Sequence, residues 1–232
     1  MQSVSELYKS IVAGDHQFEC KVEIQGAGTI DKTGIVRIET GIAVFQDAPK
    51  VGTAVSAEID LEVIAPDATI PRMAEIKPQV RAYNSTQTSE WIKQGVFYVD
   101  TRVQNVSEHG ETTLVIHGYD AMLKAERIFA SENITGDSTD VDMVDEIASH
   151  IGVDVDARTY DIMTEGYTVP LPTGYSDREV LGYIASMYVG FFIITDEGKL
   201  RLVSLLELPP EVNYLVTEDG EPITFGGEMI LV

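Results

Sequence analysis

The segment 55–63 constrains the fold more than any other part of the chain, because apolar and polar residues alternate along it without a break. Its apolar set is Val55, Ala57, Ile59, Leu61 and Val63, and its polar set is Ser56, Glu58, Asp60 and Glu62. A period of two places successive side chains on opposite faces of an extended strand. The segment is therefore predicted to be a β-strand with one buried face and one acidic, solvated face.

Further strands surround this one in the sequence. Residues 18–24 alternate in the same way, and short strands are predicted over 35–39 and 42–45. Residues 74–82 repeat the pattern, but Pro78 places that strand at a sheet edge or next to a bulge. Residues 96–106 and 112–119 are predicted to pair as a hairpin across a turn at 108–111. Short antiparallel strands at this spacing indicate a barrel or a sandwich.

Helical patterns flank and follow the strands. Ser3 and Glu6 have capping-box spacing before a short amphipathic helix. Residues 121–127 are helix-prone, and Asp140 is predicted to cap a helix that ends at Gly152. Ser176 and Glu179 form a second capping box, and the helix it opens carries Val180, Leu181, Ile184, Met187 and Tyr188 inward. A strand pair then follows on both sides of a turn at 196–199. The predicted class is α+β, mainly β, with changes of pattern near residues 120 and 205.

Charge excludes several classes of function. The 232 residues contain 38 acids and 16 bases, for a net charge of −22. Nucleic-acid binding needs clustered Lys and Arg, so direct binding is not expected, and adhesion to anionic membranes is equally disfavoured. Two interpretations of the acidity remain open: solubility, or the lining of a conduit through which DNA slides. Without a long apolar run, insertion into a membrane is not expected, and residues 1–14 do not resemble a secretory signal.

The search for chemistry gives no catalytic, cofactor or metal prediction. Cys20 is alone and is interpreted as a small buried hydrophobe. His16, His109, His117 and His150 are widely spaced, and no motif places an orienting partner beside any of them. Neither a calcium loop nor a GxSxG elbow is present. Trp91 is the one residue predicted to make a subunit or ligand contact, because tryptophan is enriched in interfaces.

Four motifs carry a resemblance to a known family. They read IPRMAE at 70–75, SEWI followed by GVFYVDTR across 89–102, GYDAMLK at 118–124 and GYSDREVL at 174–181, with Gly190 and Lys199 downstream. In this order they resemble the tail-hub proteins, also called baseplate-hub or tail-tip proteins, of phages and prophages of Gram-positive bacteria. The resemblance spans most of the chain.

The resemblance implies an architecture and an assembly. Hub proteins of this kind, like the hub of contractile phage tails, form homotrimers around the tail axis from barrel-like tube domains. By this comparison residues 1–120 are a tube-like β-barrel domain completed by 206–232, and residues 121–205 are an inserted α+β domain. Since the sequence holds one barrel's worth of strands, the chain is expected to be the N-terminal part of a longer hub.

The implied function is structural. The protein would belong to the virion tail, assembled in the cytoplasm of the bacterial host, with distal tail, tape-measure, fibre and receptor-binding proteins as partners, and it would not be an enzyme. Two alternatives stay open. One is a glycan or peptidoglycan hydrolase of the cell surface, and the other is a carbohydrate-binding module that uses Trp91 and tyrosines.

Overall fold

A computed structural model describes residues 4–42, 51–106, 112–206 and two short strands at 224–225 and 228–229. In chain order its elements are α1 (Glu6–Val12), β1 (Gln17–Ile24), β2 (Gly28–Ile30), β3 (Ile35–Ile42), β4 (Thr53–Ala54), β5 (Ala57–Ile64), β6 (Glu75–Tyr83), β7 (Ile92–Lys93), β8 (Phe97–Val106), β9 (Thr112–Asp120), a 3₁₀ helix (Ala121–Glu126), β10 (Ser138–Thr139), α2 (Asp140–Ile151), α3 (Ala157–Ile162), β11 (Thr168–Val169), α4 (Asp177–Met187), β12 (Gly190–Ile194), β13 (Leu200–Ser204), β14 (Thr224–Phe225) and β15 (Glu228–Met229).

An eight-stranded antiparallel sheet dominates the first half of the chain. Its strand order is β2-β1-β6-β8-β9-β5-β3, with β7 paired to β6. The mainly β, antiparallel prediction is confirmed, and so is the pairing of β8 with β9. Within the described residues the sheet is open, with β2 and β3 at its two edges. The closed, barrel-like tube therefore stays a prediction.

One face of this sheet is the first hydrophobic core. Its fully buried members come from five strands and from the loop before β6: Val22, Ile24, Ile59, Leu61, Val63, Ile70, Ala74, Ile76, Phe97, Val99 and Ile116. The alternation over 55–63 is confirmed, because Ile59, Leu61 and Val63 are buried while Glu58 and Asp60 are exposed. Burial of this apolar face is the main stabilising contribution that the sheet makes.

A second core lies between the helices and a small sheet. Helices α2 and α4 contribute Val144, Ile147, Ile151, Leu181 and Ile184, and the β12–β13 hairpin contributes Phe192, Leu200 and Leu202. The hairpin pairs antiparallel as predicted, and β4 adds to β12 in parallel. The predicted domain boundaries after residues 120 and 205 stay a prediction. β14 and β15 pair with each other, and the rest of 206–232, apart from Leu206, lies outside the described residues.

Several local predictions are corrected. Phe18 was assigned to the buried face of β1 but is 53% exposed, and Cys20 is only partly buried. Residues 35–42 form one continuous strand, so the predicted break after residue 39 is wrong. Met187 is 39% exposed rather than inward, because it lies one turn after Tyr183 on the outer face of α4. Ser3, residues 43–45 and the turn at 108–111 lie outside the described residues.

Pro78 lies in an interior strand, not at an edge. β6 pairs along its whole length with β1, and on its other side it pairs first with β8, through Ile76, and then with β7, through Val80. Pro78 stands between these two pairings, and its carbonyl accepts a 2.9 Å hydrogen bond from the Gln94 amide. A residue without an N–H is tolerated there because the strand changes partners at that point.

Helix starts follow the expected chemistry with small shifts. Ser5 caps α1, and Glu90 from a distant loop accepts bonds from the Ser5 amide (2.9 Å) and hydroxyl (2.6 Å). Thr139 rather than Asp140 is the N-cap of α2, which ends at Gly152 as predicted. The capping box of Ser176 and Glu179 is present at the start of α4.

Candidate interaction surfaces

Trp91 lies against two cations on the polar face of the large sheet. The Lys21 ammonium is 4.5 Å from the ring centroid, and the centre of the Arg81 guanidinium is 4.3 Å from it. Register explains the arrangement: Lys21 on β1 and Arg81 on β6 lie diagonally on one face, and Trp91 comes immediately before β7, which also pairs with β6. The ring is partly buried by contacts within its own chain.

A carboxylate fixes the cation nearest to Trp91. Glu19 accepts two hydrogen bonds from Arg81, of 2.8 and 2.7 Å, and lies 3.7 Å from the Lys32 ammonium. The Arg81 hydrogen bond is the main reason that the pKa of Glu19 lies below its usual range. We define Lys21, Arg81, Trp91, Glu19 and Lys32 as the tryptophan cluster. Its preorganised cations hold the indole in one orientation, with part of the ring left in solvent.

The opposite end of the same sheet face is acidic. Glu58, Asp60 and Glu62 project from β5 beside Glu39 of β3, and the register places these side chains in adjacent rows. Asp60 bonds to Nδ1 of His117 at 2.8 Å, and Glu62 accepts a 2.8 Å bond from the Thr113 hydroxyl. We define Glu39, Glu58, Asp60 and Glu62 as the acidic stripe. It contains one base, Arg37 of β3, which lies opposite Glu62 in the register and pairs with Glu39 at 2.7 Å.

Asp120 joins the large sheet to the helical part of the chain. Its buried carboxylate accepts bonds from the Ser56 hydroxyl (2.8 Å), the Ala57 amide (2.7 Å) and the Met122 amide (2.9 Å). Burial raises the pKa of Asp120 above its usual value, against the effect of these hydrogen bonds. The carboxylate also lines a cavity of about 380 Å³ between the end of β3, the starts of β5 and β8, and the β12–β13 hairpin. The contacts of Asp120 are structural, because they connect the end of β9 with the start of β5 and with the start of the 3₁₀ helix.

Two histidines have carboxylate partners that no local motif indicated. Besides the His117–Asp60 pair, His150 places Nδ1 3.0 Å from Asp177 and Nε2 3.4 Å from Glu146. These groups tie α2 to the start of α4, and Arg127 lies 3.7 Å from Asp177. Burial is the largest influence on the pKa of Asp177, and it raises that pKa. The absence of orienting partners was thus predicted wrongly: Asp60 and Asp177 are distant in sequence from their histidines, but Glu146 precedes His150 by one helical turn and could have been recognised from the sequence.

The described residues contain no group of three or more His, Cys, Asp or Glu side chains arranged to hold a metal ion. In the same part of the chain, no helix has the length and apolar character needed to cross a membrane.

An apolar groove opens on the helical side of the molecule. Its walls are the β11 strand with the loop after it and the outer face of α4, and the cavity measures about 450 Å³. We define the aromatic groove by Pro170, Leu171, Tyr175, Tyr183 and Met187. Tyr175 and Tyr183 meet edge to face with ring centroids 5.3 Å apart, and Tyr183 is 56% exposed.

Comparison with solved structures relates this architecture to tail proteins. The 43 kDa tail protein of prophage MuSo2 from Shewanella oneidensis superposes with a TM-score of 0.59 at 13% identity, over 86% of this chain and 59% of that protein. A tail protein from Neisseria meningitidis MC58 superposes with a TM-score of 0.50 at 11% identity, over 80% of this chain and 51% of that protein. The chain shares the fold of these tail proteins.

The chain spans little more than half the length of either tail protein. No family model and no curated protein sequence matches it. The phage tail part of the sequence resemblance agrees with the shared fold, whereas the Gram-positive hub stays a prediction.

Sequence reasoning missed the aromatic groove, and the subunit or ligand contact at Trp91 stays a prediction. Leu171, Tyr175 and Tyr183 are separated by polar residues and belong to a loop and a helix, so no periodic pattern joins them. One signal was available: Tyr183 follows Glu179 by one helical turn and is therefore on the outer face of the capped helix.

Proposed function

We propose that this protein is a structural subunit of a phage tail, located in the tail hub or tail tip. The observation that supports the proposal most strongly is the fold shared with two tail proteins over at least 80% of the chain. The four sequence motifs that resemble tail hubs support the finer location. The subunit would link the tail tube to the parts that contact the host, and would be part of the virion after assembly in the host cytoplasm.

The mechanism of such a subunit is geometric. A homotrimer would surround the DNA path and contact distal tail, tape-measure, and fibre or receptor-binding proteins. The tryptophan cluster provides a rigid contact point, since Trp91 is already held by Lys21 and Arg81 and loses little freedom on binding. In this proposal a barrel-like tube domain of residues 1–120, completed by 206–232, carries an inserted domain of residues 121–205.

The acidic stripe is the surface that we assign to the DNA path. Glu58, Asp60 and Glu62 would face the duplex and repel its phosphates, so that DNA passes without binding. Charge reversal of all three to lysine would then slow DNA ejection from assembled particles. A wild-type ejection rate in that variant would contradict this assignment.

Deletion of the gene tests the proposal. We expect a lysate of DNA-filled heads without complete tails, and restoration of infectious particles when the gene is supplied in trans. Normal tails in the deletion strain would contradict a structural role. Light scattering tests the trimer separately, since a trimer has three times the 25.4 kDa chain mass.

Zymography on cell walls and glycan-array binding test the two alternatives. A cleared band would favour a glycan or peptidoglycan hydrolase. Glycan binding that is lost in Trp91→Ala would favour a carbohydrate-binding module. No contact in the described residues singles out either alternative.

A further inference from the structure

The aromatic groove is almost entirely apolar and open to solvent. Leu171, Tyr175, Tyr183 and Met187 are each between 37% and 56% exposed, and they surround a cavity of about 450 Å³. Sugar sites combine an aromatic platform with several convergent hydrogen-bonding groups. Here the polar side chains of the lining are the hydroxyls of Thr168, Thr173 and the two tyrosines, so the chemistry favours an apolar occupant.

The chain segment that contains the groove is rich in acids. Residues 128–177 contain eleven acids, of which Asp140, Asp156 and Asp177 are buried, and one base, Arg158, which is paired with Asp156 at 2.6 Å. Three exposed carboxylates are close in sequence to the residues that line the groove. Glu165 precedes β11, Asp142 follows β10, which is the strand that pairs with β11, and Glu179 lies one helical turn before Tyr183. Two arginines lie near the start of α4, and both form ion pairs within the chain: Arg178 with Glu126, and Arg127 with Asp177.

The charge distribution around the aromatic groove determines which kind of partner can bind there. Two copies of the chain that met groove to groove would bring two acidic surfaces together, and like charges across an interface are unfavourable. A segment with apolar side chains and flanking lysines or arginines would place its apolar side chains in the groove and its cations beside the surrounding carboxylates. We infer that the aromatic groove docks an amphipathic, cationic segment of a different protein.

The inference goes beyond the tail assignment and does not depend on it. Apolar anchors in a groove supply affinity, while complementary charge around them guides the encounter and excludes wrong partners. Tyr183 is the expected principal anchor contact, because it is the most exposed aromatic residue of the groove and lies on a rigid helix.

Three synthetic peptides test the inference by fluorescence anisotropy with the whole chain. One is an amphipathic peptide of leucine and lysine, the second replaces every lysine with glutamate, and the third replaces every leucine with serine. We expect the leucine–lysine peptide to bind at least about tenfold more tightly than either of the others. Equal binding of the serine–lysine peptide would overturn the inference, because it would show attraction by charge alone.

Two groove variants and a matched control complete the test. Tyr183→Ala and Leu171→Ser should each weaken binding of the leucine–lysine peptide by about tenfold. Tyr160→Ala, which removes a tyrosine that is 40% exposed on α3, should leave it unchanged. Equal effects of all three variants would overturn the inference. A drop in the solution mass of either groove variant would also overturn it, because the occupant would then be a second copy.

Discussion

At the scale of single residues, the tryptophan cluster shows how an aromatic side chain becomes a fixed surface feature. Trp91 has no core around it, yet Lys21 and Arg81 both lie within 4.5 Å of its ring centroid. A guanidinium or ammonium against an indole contributes about 0.5–1 kcal/mol when it is solvated. Glu19 restricts Arg81 further, so the ring is held by a charged network.

A double-mutant cycle measures this contact. Trp91→Leu and Arg81→Gln, alone and together, should give a coupling free energy of about 0.5–1 kcal/mol in urea unfolding. Arg81→Gln also breaks the Glu19–Arg81 pair, but it does so with either residue at position 91, so this loss cancels in the cycle. If the two single-variant effects simply add, the ring is not stabilised by Arg81.

Asp156 provides a test of pH dependence at the same scale. It is the N-cap of α3, and hydrogen bonds from Arg158 lower the pKa of Asp156 to about 2. A lowered folded-state pKa stabilises the fold above the usual aspartate pKa, and this stabilisation is lost as the pH falls towards the folded value. Asp156→Asn keeps the capping acceptor but removes the charge that pairs with Arg158, and it should therefore cost about 1–2 kcal/mol at neutral pH.

The cost of Asp156→Asn should shrink as the pH falls from about 4 towards 2. Denaturant unfolding across this range measures it, with Asp161→Asn as a control that removes an exposed carboxylate from the same helix. Because asparagine keeps the acceptor oxygen of the N-cap, a cost that is independent of pH would contradict a contribution from the charge of Asp156.

At the scale of elements, close backbone contacts determine which substitutions the large sheet tolerates. A Cβ atom at Gly118 of β9 would lie 2.5 Å from the Tyr98 carbonyl oxygen of β8, next to the register shift between Val99 and Thr101. A Cβ atom at Gly41 of β3 would have no neighbour within 4 Å. The two glycines lie in the same sheet, Gly118 buried in the interior strand β9 and Gly41 exposed on the edge strand β3.

Gly118→Ala should destabilise the protein by about 2–3 kcal/mol, because a backbone carbonyl cannot rotate away as a side chain can. Gly41→Ala should change the free energy of unfolding by less than about 0.5 kcal/mol. Thermal unfolding of both variants measures the difference. Similar midpoints for the two would contradict the close approach of β8 and β9.

Elements with a clear periodic pattern of apolar residues or a local capping motif were predictable from the sequence. Contacts between residues that are distant in sequence were not. The alternation of β5, the stripe of α2 and the capping box of α4 each depend on residues within one segment. Phe18 and Pro78 were misplaced because the neighbours of a strand decide which positions are covered and where pairing changes. The His150–Asp177 pair and the aromatic groove likewise join residues from separate segments.

At the scale of the whole molecule, charge is unevenly distributed over one face of the large sheet. Lys21, Lys77, Arg81 and Lys93 lie on β1, β6 and β7, whereas the carboxylates of the acidic stripe lie on β5 and β3, with Arg37 as the one base of those two strands. With a net charge of −22, the chain should give no mobility shift of duplex DNA at physiological salt. Salt-dependent DNA binding by the wild-type chain would contradict the assignment of the acidic stripe to a non-adhesive DNA path.

The location of the protein in the particle tests the central claim most directly. Purified phage particles would be labelled with gold-conjugated antibodies raised against this chain and viewed by negative-stain electron microscopy, with labelled particles of an unrelated phage as the control. A structural hub subunit predicts gold at the distal end of the tail. Particles that carry intact tails and no label, together with absence of the chain from their protein content, would contradict a place in the virion.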